Sequence, residues 1–172
     1  PVFPSYKEVL QAKKTCYPTM AVSESKASVA LQDLVNISAK HLFEVVQVTS
    51  ELPGTALTLF WKWGVDGASG QSRYKQNFET VETSDESIFM ISSVPLQLSL
   101  SIEPQQAIWT NPHPSSTRLC RPLRFEFAKE TFEKIVSEVD RVEEEIKQLH
   151  PTVIMKDEQR FVVHHSFQLT MI

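Results

Sequence analysis

Cysteine is nearly absent from this chain: among 172 residues only Cys16 and Cys120 carry thiols, far apart and with no second ligand close to either. That excludes a self-contained zinc site built on paired cysteines and fits a reducing compartment. The five histidines (His41, His113, His150, His164 and His165) do not make up the loss, because none stands three or four residues from another, the spacing that puts two imidazoles on one metal. His164 and His165, adjacent on a strand, point to opposite faces. Positive charge is not in excess either; the net charge of −4 does not advertise nucleic acid. No apolar run is long enough to span a bilayer, and the start "PVFPSYKEV" has neither an initiator Met nor a basic-then-apolar leader. The apolar end "FVVHHSFQLTMI" reads as an excerpt from a larger protein. A Gly-x-Ser-x-Gly elbow is missing, and "GASGQSRYK" lacks the Gly-Lys-Ser/Thr ending of a phosphate loop.

What is present reads as helices, then strands, then a long helix, then strands. "SYKEVLQAKKTCYP" opens with a capping box, Ser5 with Glu8, and stops before Pro18. "SKASVALQDLVNISAKHLFEVVQV" carries Leu31, Leu34, Val35, Leu42, Val45 and Val46 at helical intervals, which predicts one interrupted helix or two. Pro53-Gly54 breaks the chain, and a boundary falls there: a helical segment over 1–55, then a main domain over 56–172. From Leu57 the period is two, with Leu59, Trp61 and Trp63 on the same face; both tryptophans read as sheet core rather than base-stacking platforms. "GVDGASGQSRYKQNF" holds three of the four glycines and reads as a loop. "SIFMISSVPLQLSLSI" reads as two strands around Pro95, an edge or a bulge, and "PLRFEF" as another. "TFEKIVSEVDRVEEEIKQL" is an amphipathic helix with a stripe running from Phe132 through Ile135, Val136, Val139, Val142 and Ile146 to Leu149. A hairpin turning at "KDEQ" follows. Antiparallel strands, a helix and a return strand define a mixed α/β (α+β) class and the start of a ribonuclease H-like fold, an incomplete core with a mixed sheet.

Asp66 poses the central choice. An Asp-Gly pair after an alternating apolar run marks a tight hairpin turn, although Gly64 before it and "ASGQS" after it make a simple type I′ turn too short. A carboxylate at a strand end would instead suit a metal. Basic residues cluster at Arg73 with Lys75, and at Arg118, Arg121 and Arg124 in "RLCRPLR"; on pattern alone these are solvated surface.

Together, "WKWGVDGASGQSRYKQ" and "IWTNPHPSSTRLCRPLRFEFAKET" resemble the catalytic core of Transib-type DNA transposases, relatives of the catalytic subunit of the V(D)J recombinase. The resemblance runs over residues 57–172 and is fainter in "SYKEVLQAKKTCYP". It implies that Asp66 is the first acid of an Asp-Asp-Glu set and that Glu130, in "FAKET", is an additional acid beside the same metals. Read without the resemblance, Glu130 is an acid at a helix N-terminus. The family's second Asp, its final Glu and its zinc ligands would lie past Ile172, so this chain alone would be inactive; Asp85, Asp140 and Asp157 do not fill the gap. The resemblance further implies two Mg²⁺ or Mn²⁺ ions, nicking and hairpinning of double-stranded DNA at element ends, a homodimer and nuclear localisation. Arg73, Lys75, Arg118, Arg121 and Arg124 become candidate phosphate contacts. The competing class is a non-catalytic assembly module derived from a transposase.

Overall fold

The computed structural model describes residues 3–46, 54–70, 86–102 and 105–170. In chain order the elements are α1 (Tyr6–Thr15), β1 (Met20–Val22), β2 (Lys26–Val29), α2 (Leu31–Val46), β3 (Ala56–Ser69), β4 (Ser87–Leu100), β5 (Ala107–Thr110), β6 (Arg121–Glu126), α3 (Phe132–Lys147), β7 (Thr152–Lys156) and β8 (Gln159–Leu169), with a short 3₁₀ turn at Thr117–Leu119. The eight strands form one mixed sheet in the order β1-β2-β6-β4-β3-β8-β7, with β5 paired to β4. β4 runs antiparallel to both β3 and β6, and β8 lies parallel to β3. This is the mixed α/β class that the order of elements predicts. Among the described residues no helix is long and apolar enough to cross a membrane.

Local signals account for several boundaries. The Ser5 hydroxyl accepts from the Glu8 amide while the Glu8 carboxylate accepts from the Ser5 amide at 2.7 Å, so α1 starts on its capping box. Thr131 caps α3 by accepting from the Lys134 amide at 3.2 Å. Leu57, Leu59, Trp61 and Trp63 are all buried, and Trp61 stacks on Phe167 with centroids 5.6 Å apart. They share one core with Leu31, Leu34, Val35 and Phe43 of α2 and Val142 of α3.

Four expectations need correcting. Residues 26–29 are not helical: β2 pairs with β1 and with β6, because the helix cannot start until Leu31, where the apolar spacing takes over. The residue-55 boundary does not divide the core, since β1 and β2 belong to the common sheet and α2 to the common core. β4 passes through Pro95 unbroken; the register moves from Phe60↔Gln97 to Trp61↔Pro95, so Leu96 is the extra residue of a bulge that excuses the missing amide. Finally, Phe132 and Val136 are exposed, and the buried stripe of α3 passes instead through Glu138.

The hairpin question also resolves. β3 continues through Asp66 and Gly67, paired with Met90 and Phe89, as far as Ser69. Gly70, at φ 74°, is the glycine in left-handed backbone there. The two-residue turn with both φ values positive lies between β7 and β8, at Asp157 (49°) and Glu158 (64°). The expected loop therefore begins after residue 69, and the rest of it, with Arg73, Lys75 and Asp85, lies outside the described residues.

Candidate functional site

Asp66 is exposed near the end of the long β3 strand, opposite Met90. It shares an open groove of about 360 Å³ with Lys62, Gly64 and Ser92, which alternation puts on the same face. β8 runs parallel to β3 and stops short of it: the Thr170 amide donates to the Trp63 carbonyl at 2.9 Å. β8 therefore points toward the Asp66 end of β3.

Glu130 reaches the next residue from the other side. A Cβ on Gly67 would lie 2.0 Å from Glu130 Oε2 and 2.7 Å from Glu130 Cβ, so only glycine lets this side chain lie against the strand. Gly67 and its partner Phe89 carry α3 on that face, where Lys134 Nζ stands 5.3 Å above the Phe89 ring. Gly67, against which Glu130 lies, is one Cα step, about 3.8 Å, along the strand from Asp66, but alternation sets Asp66 and Glu130 on opposite faces of β3. Glu130 also precedes the cap of α3, and the first-turn acid there is Glu133.

Carboxylate oxygens are the hard ligands that Mg²⁺ and Mn²⁺ take. A bound cation needs several of them converging, and these two diverge. Among the described residues no three His, Cys, Asp or Glu side chains come together. Asp66 and Glu130 alone do not fit a two-ion centre. Neither Asp140, exposed on α3, nor Asp157, in the turn, adds a ligand, and the free Cys16 and Cys120 make no zinc site.

The Glu130–Gly67 contact can be tested directly. Gly67→Ala is expected to cost about 1–3 kcal/mol in urea denaturation, because the new methyl group meets the fixed Cβ of Glu130 and not only its movable end. Adding Glu130→Gly is expected to recover most of the loss. A neutral Gly67→Ala would mean that Glu130 is not held there.

The basic candidates part company. Arg124 is buried, 9% exposed, and its Nη1 is ion-paired with Glu138, itself 8% exposed. It is therefore withdrawn from the phosphate-contact set: its charge is already committed inside the protein. Arg118 is exposed and Arg121 half-buried, and both line a separate cavity against α2.

Sequence reasoning missed two buried polar systems. In the first, Glu138 accepts from Arg124 and, at 2.8 Å, from Arg141 Nε, while Arg141 Nη1 pairs with Glu145. The signal was available: Glu138 stands three residues after Ile135 and four before Val142, on the apolar stripe. In the second, Trp61 Nε1 donates to His165 Nδ1 at 3.2 Å, His165 Nε2 lies 2.8 Å from Thr152 Oγ1, and Thr152 Oγ1 donates to Asn36 Oδ1 at 2.6 Å. Since Nδ1 accepts, neutral His165 carries its proton on Nε2. Burial, with a smaller contribution from the charge of His164, pushes its pKa down from 6.5 to about 4. Strand alternation anticipates the exposed His164 and inward His165; the partners of His165 come from strands and a helix distant in sequence.

No protein-family model matches the chain, and no curated protein matches it.

Proposed function

We propose that this chain is part of the catalytic core of a DNA transposase or recombinase of the Transib type, with a ribonuclease H-like sheet. The carrying observation is the strand end itself: Asp66 is exposed near the end of the long β3 strand, and parallel β8 heads toward the same point. Three antiparallel strands, β3, β4 and β6, followed by α3 and a strand parallel to β3, support the fold reading. On this reading Asp66 is this chain's contribution to a site for Mg²⁺ or Mn²⁺ that acids beyond Ile172 complete, and the chain alone does not cut. A continuation of β8 would deliver such an acid beside Asp66. Double-stranded DNA at element ends is the substrate, a second copy the partner and the nucleus the place of action.

The test uses the chain extended along its reading frame, as wild type and as Asp66→Asn, incubated with Mn²⁺ and labelled DNA bearing the element's ends. Nicks and hairpins from the wild type are expected, with their loss in a variant whose circular dichroism is unchanged. Equal cutting by both proteins would remove Asp66 from the site.

A second reading, a non-catalytic assembly module, is favoured by α1. That helix buries none of its residues among those described, and Tyr6, Val9 and Leu10 are exposed on it. If neither extended protein cuts, and Tyr6→Asp/Leu10→Asp converts a dimer to a monomer in light scattering, this reading replaces the first.

A further inference from the structure

A cavity of about 290 Å³ lies between α2, β5 and the segment leading into β6, at the small end of the range of ligand pockets (~300–1,000 Å³). Its wall has two chemically distinct parts. One is apolar and flat: the half-buried indole of Trp109, with Leu42, Val45 and Pro95. The other is cationic, made by Arg118 and Arg121. Among the described residues neither guanidinium has a carboxylate partner; Arg121 Nη1 donates only to the Cys120 carbonyl, at a long 3.4 Å. No Asp or Glu lines the cavity, while His41 and His113 do.

Ser38 supplies an independent pointer. The residue lines this cavity and is only 6% exposed, and its Oγ is buried with no hydrogen-bond partner among the described residues. A helical serine commonly satisfies itself on the carbonyl one turn back, and a buried hydroxyl left unpaired is costly. The hydroxyl is shielded in this rotamer, and a turn about χ1 would bring it to a molecule that enters.

We propose that this cavity binds a nucleotide: a planar base against Trp109, its polar edge served by the Ser38 hydroxyl, and its phosphate on the guanidinium groups of Arg118 and Arg121. Guanidinium forks match phosphate oxygens, and base-on-aromatic stacking is tolerant of base identity. A free phosphate would leave the apolar wall unused, and an uncharged aromatic compound would leave two arginines without a counter-charge. The proposal does not rest on Asp66, which opens into a different groove with Lys62 and Ser92.

Tryptophan fluorescence of the 172-residue chain provides the readout, because Trp61 and Trp63 are buried at 1% and 4% exposure and Trp109 is the accessible indole. The probes are 2′-deoxyadenosine 5′-monophosphate, 2′-deoxyadenosine and inorganic phosphate. Saturable binding of the monophosphate is expected, at least about tenfold tighter than either part alone, since each part forfeits one set of contacts. Arg118→Ala and Arg121→Ala are each expected to weaken it roughly tenfold. Ser38→Leu, which fills the cavity, abolishes it; Ser38→Ala, which leaves the cavity open, weakens it by roughly fivefold. Absence of saturable binding overturns the proposal. So does inorganic phosphate binding as tightly as the nucleotide, which would make this an anion site only, and so does an affinity unchanged in Arg118→Ala and Ser38→Ala with circular dichroism intact. Loss of DNA cutting by Asp66→Asn leaves this outcome untouched, so the two readings fail separately.

Discussion

Glu138→Ala is expected to destabilise the chain by about 3–5 kcal/mol, the largest effect of any single substitution considered. The side chain accepts from Arg124 and Arg141, and burial of Arg124 at 9% exposure leaves its guanidinium no ready route to water once the carboxylate is gone. Among the described residues Arg124 Nε has no hydrogen-bond partner, so none of them offers a substitute for the lost carboxylate. Against a total stability of about 5–15 kcal/mol, such a loss removes a large share. Taking both charges away is a different experiment: Arg124→Met with Glu138→Leu keeps volume and leaves no orphan ion, and should lie within about 1 kcal/mol of wild type or above it. Glu145→Ala, at a pair with both side chains about one-third exposed, should cost less than about 1 kcal/mol. Urea midpoints of the three variants decide the matter. If Glu138→Ala costs no more than Glu145→Ala, the Arg124 site is wet and the network is ordinary surface charge.

Acid should weaken the protein earlier than carboxylates alone would make it. His165 has a folded pKa near 4 against an ordinary 6.5, so between those values the unfolded chain holds a proton that the folded one refuses. Its stabilising effect is complete above about pH 6.5, falls by about 1.4 kcal/mol for each pH unit below that, and is exhausted near pH 4, a total of about 3 kcal/mol. The geometry gives the same sign: protonating Nδ1 would set an N–H against the indole N–H of Trp61. Glu138 adds to the trend at lower pH. Burial pushes its pKa up, but the hydrogen bond from Arg141 and the charges of Arg124, Arg141 and Lys134 more than offset this and hold it below 4.5. Its contribution is present above 4.5 and is lost as pH falls through its folded value. Urea stability measured from pH 7 to 4 should therefore decline in wild type and decline much less in His165→Gln. Equal slopes in the two proteins would mean that His165 titrates freely in the fold.

Most of the local architecture is written where it acts. Ser5 with Glu8 is a signal spanning three residues, and the capping box it predicts is present; Thr131 caps α3 over the same short range. Leu57, Leu59, Trp61 and Trp63 state their face by period two, and the order of strands and helices states the mixed class. Other signals misled because a distant partner outweighed them. Asp66-Gly67 carries the strongest short hairpin signal in the chain, yet β4 offers both residues a ladder, while Asp157-Glu158 accepts positive φ because β7 and β8 must meet there. Gly67 is needed not for a turn but for the approach of Glu130, from 63 residues farther along the chain.

The sequence by itself determined where α1 begins and which face of β3 is apolar, because each of these depends on neighbours within about one turn or one strand. Only the tertiary structure decided which charges are spent and which are free. Arg118, Arg121 and Arg124 look alike in "RLCRPLR", but the strand register sets Arg124 under Glu138 and leaves the other two beside Trp109 and Ser38. The same long-range pairing put Asp66 and Glu130 on opposite faces of one strand. Burial and counter-charge are properties of three-dimensional neighbours, and no spacing along the chain encodes them.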